Sequence, residues 1–372
     1  MRYFFSTGEA SGELSAALLA SAIRAYDRQA LFTGIGAERM RAAGFTLWRD
    51  HTGWASMGPL GAIPRIPKLL VTMWRTAAHI AREQYDLVVL VDFGAFNLRL
   101  AQTLRRRLGY ERPILYLFPP AAWLDDERRA REVASLAVPL TGFAHQYAFY
   151  KRLALPAVYF GHPLTGEYEM RPERPPAPDD GGTVAILPGS RRGELRLHLP
   201  RTIAAVRALS ARRPRARAVF AAADAHARCM IAAELARAGL DDAEITDGAR
   251  AALADADAAW VASGTAVLEA ALCGVPTVAF YVIPRILVRY ARSIYDGRFI
   301  TLPNLVLGYE AVPELVQDAA TPQALAEALD AALRDPAAFR ERLAPLRAAL
   351  GPADALDRCA RFAVALAEAG TR

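Results

Sequence analysis

At 372 residues, 53% hydrophobic, 23% charged and 9% aromatic, the chain exceeds one ordinary domain of ~100–200 residues and has ample core material, which excludes wholesale disorder and collagen-like structure. Three widely spaced cysteines, Cys229, Cys273 and Cys359, supply neither a disulfide framework nor a zinc ligand set, so a reducing compartment is expected. The net charge of +6 would favour acidic partners, but Lys68 and Lys151 are the only lysines and alanine is abundant, so local clusters carry more weight than the total.

In chain order, β-rich runs at Tyr3–Ser6, Leu87–Asp92, Ile114–Phe118 and Val158–Phe160 are each followed by a helical pattern. This βαβ rhythm predicts a mostly parallel sheet covered on both faces. Residues 171–183 (RPERPPAPDDGGT) break every periodicity and read as a linker. The rhythm restarts with Val184–Leu187, Ala218–Ala222, Glu244–Thr246, Ala258–Ala262 and Thr277–Phe280, between helices near Leu195–Ala211, Ala225–Ala238 and Ala266–Cys273. Two doubly wound α/β domains follow, residues 1–170 and 184–350, with a terminal helix in 351–372. In that helix Leu356, Ala360, Phe362, Ala363 and Leu366 form one apolar face. No apolar run reaches the ~20 residues that span a bilayer, and no basic leader opens the chain. A cytoplasmic protein, soluble or peripheral, is expected.

The first strand delivers Gly8-Glu9-Ala10-Ser11-Gly12-Glu13 at its carboxyl end, where open α/β sheets bind ligands. Gly8 and Gly12 let backbone approach a substrate, Ser11 can cap the next helix, and Glu9 can accept bonds from sugar hydroxyls; a plain capped turn is the alternative. Gly34-Ile35-Gly36-Ala37-Glu38-Arg39 begins like a dinucleotide fingerprint, but Arg39 replaces the third glycine, so a turn is expected. Asp92 ends an apolar strand and is placed to act as general base, its pKa raised by low dielectric, or else as a cap; Asn97 is the better cap candidate.

In the second half, Leu187-Pro188-Gly189-Ser190-Arg191 and Ala262-Ser263-Gly264-Thr265 both join a strand to a helix. Each offers N–H groups and a helix dipole to phosphate, with Arg191 adding charge and Glu269 placed to grip ribose; the Gly-Lys-Ser/Thr ending of a P-loop is absent. Two stretches mix apolar and basic residues. Pro64–Arg75 carries Ile66, Leu69, Leu70, Met73 and Trp74 beside Arg65, Lys68 and Arg75, and Pro284–Phe299 places Arg285, Arg289 and Arg292 at helical spacing. Either is a membrane-surface contact or a helix with a solvated face. His162 reads as a turn residue, and His51, His79, His145, His198 and His226 lack ligand spacing, so no metal is assigned.

Taken together, these segments resemble the lipid-A-disaccharide synthase family. The resemblance rests on Gly8–Glu13, Asp92 with Phe96-Asn97, Gly161-His162-Pro163, Leu187–Arg191, Ala262–Glu269 and Leu302-Pro303-Asn304-Leu305, found in that order almost end to end. The chain departs from that family's pattern at Ala95, at Glu13 and across Phe118–Asp125. The resemblance implies a GT-B fold of two Rossmann-like domains, with the last helix packing back on the first. It also implies transfer of the sugar of UDP-2,3-diacylglucosamine to the 6-hydroxyl of 2,3-diacylglucosamine 1-phosphate, without metal or cofactor, at an anionic membrane surface on the inner membrane. No nucleic-acid partner is implied, and a homodimer is compatible with it. In this reading Asp92 is the base and Glu9, Gly8, Ser11 and Gly12 serve the acceptor. Gly189, Ser190, Arg191, Ser263, Gly264, Thr265, Glu269 and Asn304 serve the donor. Two alternatives stand beside it: another UDP-sugar enzyme of this fold, either a lipid-linked transferase with a different acceptor or an epimerase, and a non-catalytic relative.

Overall fold

The computed structural model describes residues 1–52, 54, 66–120, 126–294 and 299–370, with backbone alone at 66 and 290–294. The chain divides into two compact units, Met1–Glu167 with Leu350–Arg372, and Tyr168–Ala349.

The first unit is built on seven strands: β1 (Arg2–Ser6), β2 (Leu31–Gly36), β3 (Thr46–Asp50), β4 (Leu87–Val91), β5 (Ile114–Leu117), β6 (Val138–Thr141) and β7 (Val158–Tyr159). They pair in parallel in the order β3-β2-β1-β4-β5-β6-β7. The order reverses between β1 and β4, whose carboxyl ends lie side by side, Ser6 opposite Leu90. Alternate side chains face opposite layers. Tyr3 and Phe5 pack with Leu19, Ile23, Phe32, Phe45, Ala360 and Ala363, while Phe4 packs with Ile80, Val88, Leu90, Leu100 and Tyr116 on the other face. Burying each large apolar side chain contributes ~1.5–3 kcal/mol. β2, β3 and β6 were not anticipated: β2 carries two glycines and β6 a proline, both poor strand formers.

Helix Ala355–Ala369 lies against helix Ala10–Ile23 and buries Ala355, Cys359, Ala360, Ala363, Val364 and Ala367, with Leu356, Phe362 and Leu366 at the edge of the contact. The chain enters it where Leu350 O accepts a bond from His162 N at 2.7 Å. Gly351 permits the approach, since a Cβ there would stand 2.7 Å from Gly161 Cα.

The second unit holds β8 (Thr183–Leu187), β9 (Arg217–Ala222), β10 (Glu244–Asp247), β11 (Ala258–Ala262), β12 (Thr277–Tyr281) and β13 (Glu314–Val316), parallel in the order β10-β9-β8-β11-β12-β13. Its reversal lies between β8 and β11. Fully buried Trp260 centres the core and donates Nε1–H to Leu325 O at 2.9 Å. Residues 171–183, expected as a linker, are tied to this unit. Arg171 donates to the Leu253 and Ala256 carbonyls, and buried Arg213, paired with Asp330 at 2.6 Å, donates to Pro178 O. Carbonyls of a proline-rich segment, having few amide partners of their own, are satisfied here by arginine side chains. Among the described residues no helix is long and apolar enough to cross a membrane.

Candidate functional site

In the first unit the Gly8–Glu13 loop follows β1 and Asp92 follows β4, so both sit at the reversal of strand order, the place where such sheets bind ligands. The structure brings them into contact. Gly8 is buried, and any Cβ on it would overlap the Phe93 ring. Gly12 packs toward Thr7 and Val91, the residue before Asp92. Glu9, half-buried, is the N-cap residue of helix Ala10–Ile23 in extended conformation. Ser11 is therefore the second residue of the helix and is not its cap.

Asp92 and Phe93 are both left-handed, φ 46° and 49°, a conformation that costs non-glycine residues energy and clusters at functional sites. Asp92 is exposed, so the expected elevation of its pKa by low dielectric has no burial behind it. Helix Gly94–Gln102 is capped at Phe93 without a side-chain bond, so neither Asp92 nor Asn97 caps it. Asn97 instead is fully buried and its Nδ2 donates to Asp92 O at 2.9 Å, Ser6 O at 3.1 Å and Val91 O at 3.2 Å. Ser6 Oγ donates to Asn97 Oδ1 at 2.6 Å, and Tyr116 Oη donates to Asp92 O at 3.0 Å. Gly34-Ile35-Gly36, expected as a turn, is instead the end of strand β2, and Ala37 follows it as the N-cap residue of the short helix Glu38–Ala42. Gly34 abuts the Phe5 carbonyl, Gly36 abuts Met40, and the Ala37 N–H is taken by the Glu13 carboxylate.

In the second unit the two anion-type turns follow β8 and β11, again the pair at the reversal, with Leu187 opposite Val261. Gly189 has φ 108°, and a Cβ there would stand 2.6 Å from Glu194 Oε2. Ser190 is exposed and Arg191 is the N-cap residue of helix Arg192–Ser210. Its guanidinium pairs with Glu194, which also accepts from Arg191 N and from Tyr281 Oη at 3.0 Å. Buried His198 steadies the turn, with Nδ1 2.7 Å from Pro188 O and Nε2 accepting from Val282 N at 3.1 Å. Burial holds its pKa below the usual value, which keeps the ring neutral.

At the other turn, Gly264 is exposed with open space beside it, and Thr265 begins helix Thr265–Leu272. Ser263 Oγ donates to Ile300 O at 2.7 Å, so its proton is already committed and it can only accept. Glu269 is buried and accepts from Tyr168 Oη. Asn304 corrects its assignment to the donor site. It is fully buried and all four of its amide bonds are internal: Nδ2 to Val312 O and Glu314 Oε1, Oδ1 from Ala311 N and Val312 N. Glu314 in turn accepts from Ile300 N and Thr301 N. Asn304 thus anchors the segment that anchors Ser263.

Of the surface set, Leu70, Val71 and Trp74 are exposed on helix Ile66–Glu83 with Lys68 and Arg75, and Leu69 is half-buried. Met73 is a correction: it is 4% exposed, packed in the core, and accepts a bond from Thr103 Oγ1. Pro64, Arg65, the Ile66 and Arg292 side chains and Ala121–Asp125 lie outside the described residues. Among the described residues no group of three or more His, Cys, Asp or Glu could hold a metal ion. Tyr116, His198 and Glu314 were missed as site-building residues because their partners are distant in sequence; Asn97 and Glu194 have near partners, but spacing alone made Asn97 a cap and gave Glu194 no role.

The fold is shared with solved sugar-nucleotide enzymes. The spinosyn forosaminyltransferase SpnP superposes with a TM-score of 0.59 at 15% identity over 98% of this chain and 99% of its own. UDP-GlcNAc 2-epimerase from Neisseria meningitidis, solved bound to UDP-GlcNAc, does so with 0.55 at 9% over 98% and 99%. At such identities the likeness establishes the GT-B architecture and does not separate a transferase from an epimerase. Sequence separates them. The lipid-A-disaccharide synthase of Myxococcus xanthus is 34% identical over 99% of this chain and 98% of its own length. The family model described as lipid-A-disaccharide synthetase matches residues 3–343. With that match spanning both strand-order reversals and every motif quoted above, the chain belongs to the lipid-A-disaccharide synthase family of hexosyltransferases.

Proposed function

We propose that this chain transfers the diacylglucosamine of UDP-2,3-diacylglucosamine to the 6-hydroxyl of 2,3-diacylglucosamine 1-phosphate, releasing UDP. The observation that carries the reading is the exposed Asp92 carboxylate on a backbone held left-handed beside the Gly8–Glu13 loop, at the reversal of the first sheet. Asp92 takes the proton of the acceptor 6-hydroxyl as O6 bonds to the donor anomeric carbon. The bond from that carbon to the diphosphate breaks and UDP leaves with the electron pair. Amide N–H groups at the starts of helices Arg192–Ser210 and Thr265–Leu272 face the leaving diphosphate, and Arg191 exchanges Glu194 for it. Gly189, Ser190, Gly264 and Thr265 supply that backbone, Glu269 holds ribose, and Glu9, Ser11 and Gly12 orient the acceptor.

The exposed Leu70, Val71 and Trp74 between Lys68 and Arg75 support contact with an anionic membrane surface, where both acylated substrates reside. We propose that in a bacterial cell the enzyme works on the cytoplasmic face of the inner membrane. The test is mass spectrometry after incubation with a UDP-diacylglucosamine and a panel of acceptors. A disaccharide monophosphate formed only with the acylated glucosamine phosphate is expected; product with another acceptor, or loss of UDP without a disaccharide, overturns the assignment.

A further inference from the structure

Asp92 sits in a left-handed backbone conformation that is uncommon outside glycine, and its carbonyl is the target of two buried donors. Tyr116 Oη reaches Asp92 O at 3.0 Å from β5, and Asn97 Nδ2 reaches it at 2.9 Å from the following helix. Asn97 is held in turn by Ser6 Oγ on β1. Ser6, Asn97 and Tyr116 are each fully inaccessible, so none can touch a substrate. Three adjacent parallel strands and one helix thereby converge on a single carbonyl. Helix capping does not need this arrangement, since the helix begins at Phe93 without any side-chain cap.

We infer that Tyr116 and Asn97 are positioning residues that clamp the Asp92 carbonyl, fixing the left-handed turn so that the Asp92 carboxylate is aimed at the acceptor hydroxyl. The inference rests on the general-base reading of Asp92. A neutral phenol donor suits the task because it survives across the working pH range. Burial holds the Tyr116 proton well above the ordinary phenol range, and the nearby Asp92 charge acts in the same direction. A carbonyl has two lone pairs, and the two donors fill both. With both filled, the peptide after Asp92 cannot rotate toward the ordinary right-handed region without leaving buried donors unsatisfied.

Misplacing a reacting group by about 1 Å costs on the order of 10²-fold in rate. Removing one of two clamps should therefore lower turnover by ~10–100-fold and leave KM for the UDP-sugar unchanged. The experiment compares Tyr116→Phe, Asp92→Asn and the double variant in the full-length protein, using radiolabelled donor, with calorimetric UDP binding and melting temperature in parallel. Ser6→Ala, a smaller change that acts through Asn97, is the second route, with a loss of ~3–10-fold expected. The expected result is a fall in kcat for Tyr116→Phe with UDP affinity retained, and no further fall when it is added to Asp92→Asn, because a carboxylate that takes no proton gains nothing from being aimed. Normal turnover in Tyr116→Phe and Ser6→Ala beside a crippled Asp92→Asn would overturn the clamp alone. Multiplicative losses in the double variant would overturn it too, since the phenol would then act elsewhere. Full turnover in Asp92→Asn would instead remove the base, and the clamp with it.

Discussion

The Arg191 guanidinium is paired with the carboxylate of Glu194, three residues along the same turn, and that carboxylate is also held by the Tyr281 hydroxyl. The cation proposed for the diphosphate is therefore presented with a partner, not bare. Arg191→Ala should weaken UDP binding by ~1.5–3 kcal/mol, the scale of a charge-assisted hydrogen bond, and EDTA should not matter. Calorimetry checks both; an unaffected variant, or binding abolished by EDTA, removes this turn from the donor site.

Asn304→Ala should behave as a folding variant. Its loss strands the Ala311 and Val312 N–H groups and the Val312 carbonyl in the interior, at ~1–3 kcal/mol each. Denaturant unfolding should show a loss of several kcal/mol on that scale, with UDP binding falling as Ser263 loses its anchor at Ile300. Unchanged stability with lost UDP binding would return Asn304 to direct ligand contact.

Replacing Leu70, Val71 and Trp74 together with serine should release the protein from anionic vesicles while the melting temperature holds, since these side chains are exposed. Binding of the parent should fall with salt as screening over ~8–10 Å weakens the Lys68 and Arg75 attraction. Met73→Ser should do the reverse: a buried side chain lost costs stability and leaves vesicle binding to the others. Cosedimentation and thermal melts separate the two patterns.

His162 is buried between Phe118 and Phe143, and desolvation pushes its pKa down to about 3. Its Nδ1 accepts from Leu164 N, a bond only the unprotonated nitrogen can make. Below about 6.5 the unfolded chain binds a proton here that the folded chain refuses, so stability falls as pH drops, by up to ~1.4 kcal/mol per unit until about pH 3. His162→Gln should show a shallower slope of stability between pH 6 and 4. An identical slope would mean that other groups carry the acid sensitivity.

Nine of the thirteen strands among the described residues were legible, most of them as apolar runs bounded by turn residues; β2 and β6 were hidden by their own glycines and proline, β3 is a half-polar edge strand and β13 an edge strand of three residues. The strand-end loops were legible because a parallel sheet places them at one edge. Side-chain partnership was not. Asn97 near a helix start looks like a cap by spacing, and only packing shows it facing three carbonyls. Asn304 sits in a motif that reads as ligand-binding, yet its partners Val312 and Glu314 consume every bond it has. Met73 and Trp74 are neighbours in an apolar-basic stretch, and one residue of helical rotation sends the first inward and the second to solvent.

The central claim, that Asp92 deprotonates the acceptor, is tested most directly by the turnover of Asp92→Asn with donor and acceptor both supplied. Asparagine keeps the shape and the clamped backbone but takes no proton. Turnover should fall by ~10²–10⁴-fold while UDP affinity and melting temperature stay nearly unchanged. Full turnover in Asp92→Asn would contradict the account and shift the base to Glu9, since the buried Glu13 carboxylate is held by Ala37 N–H.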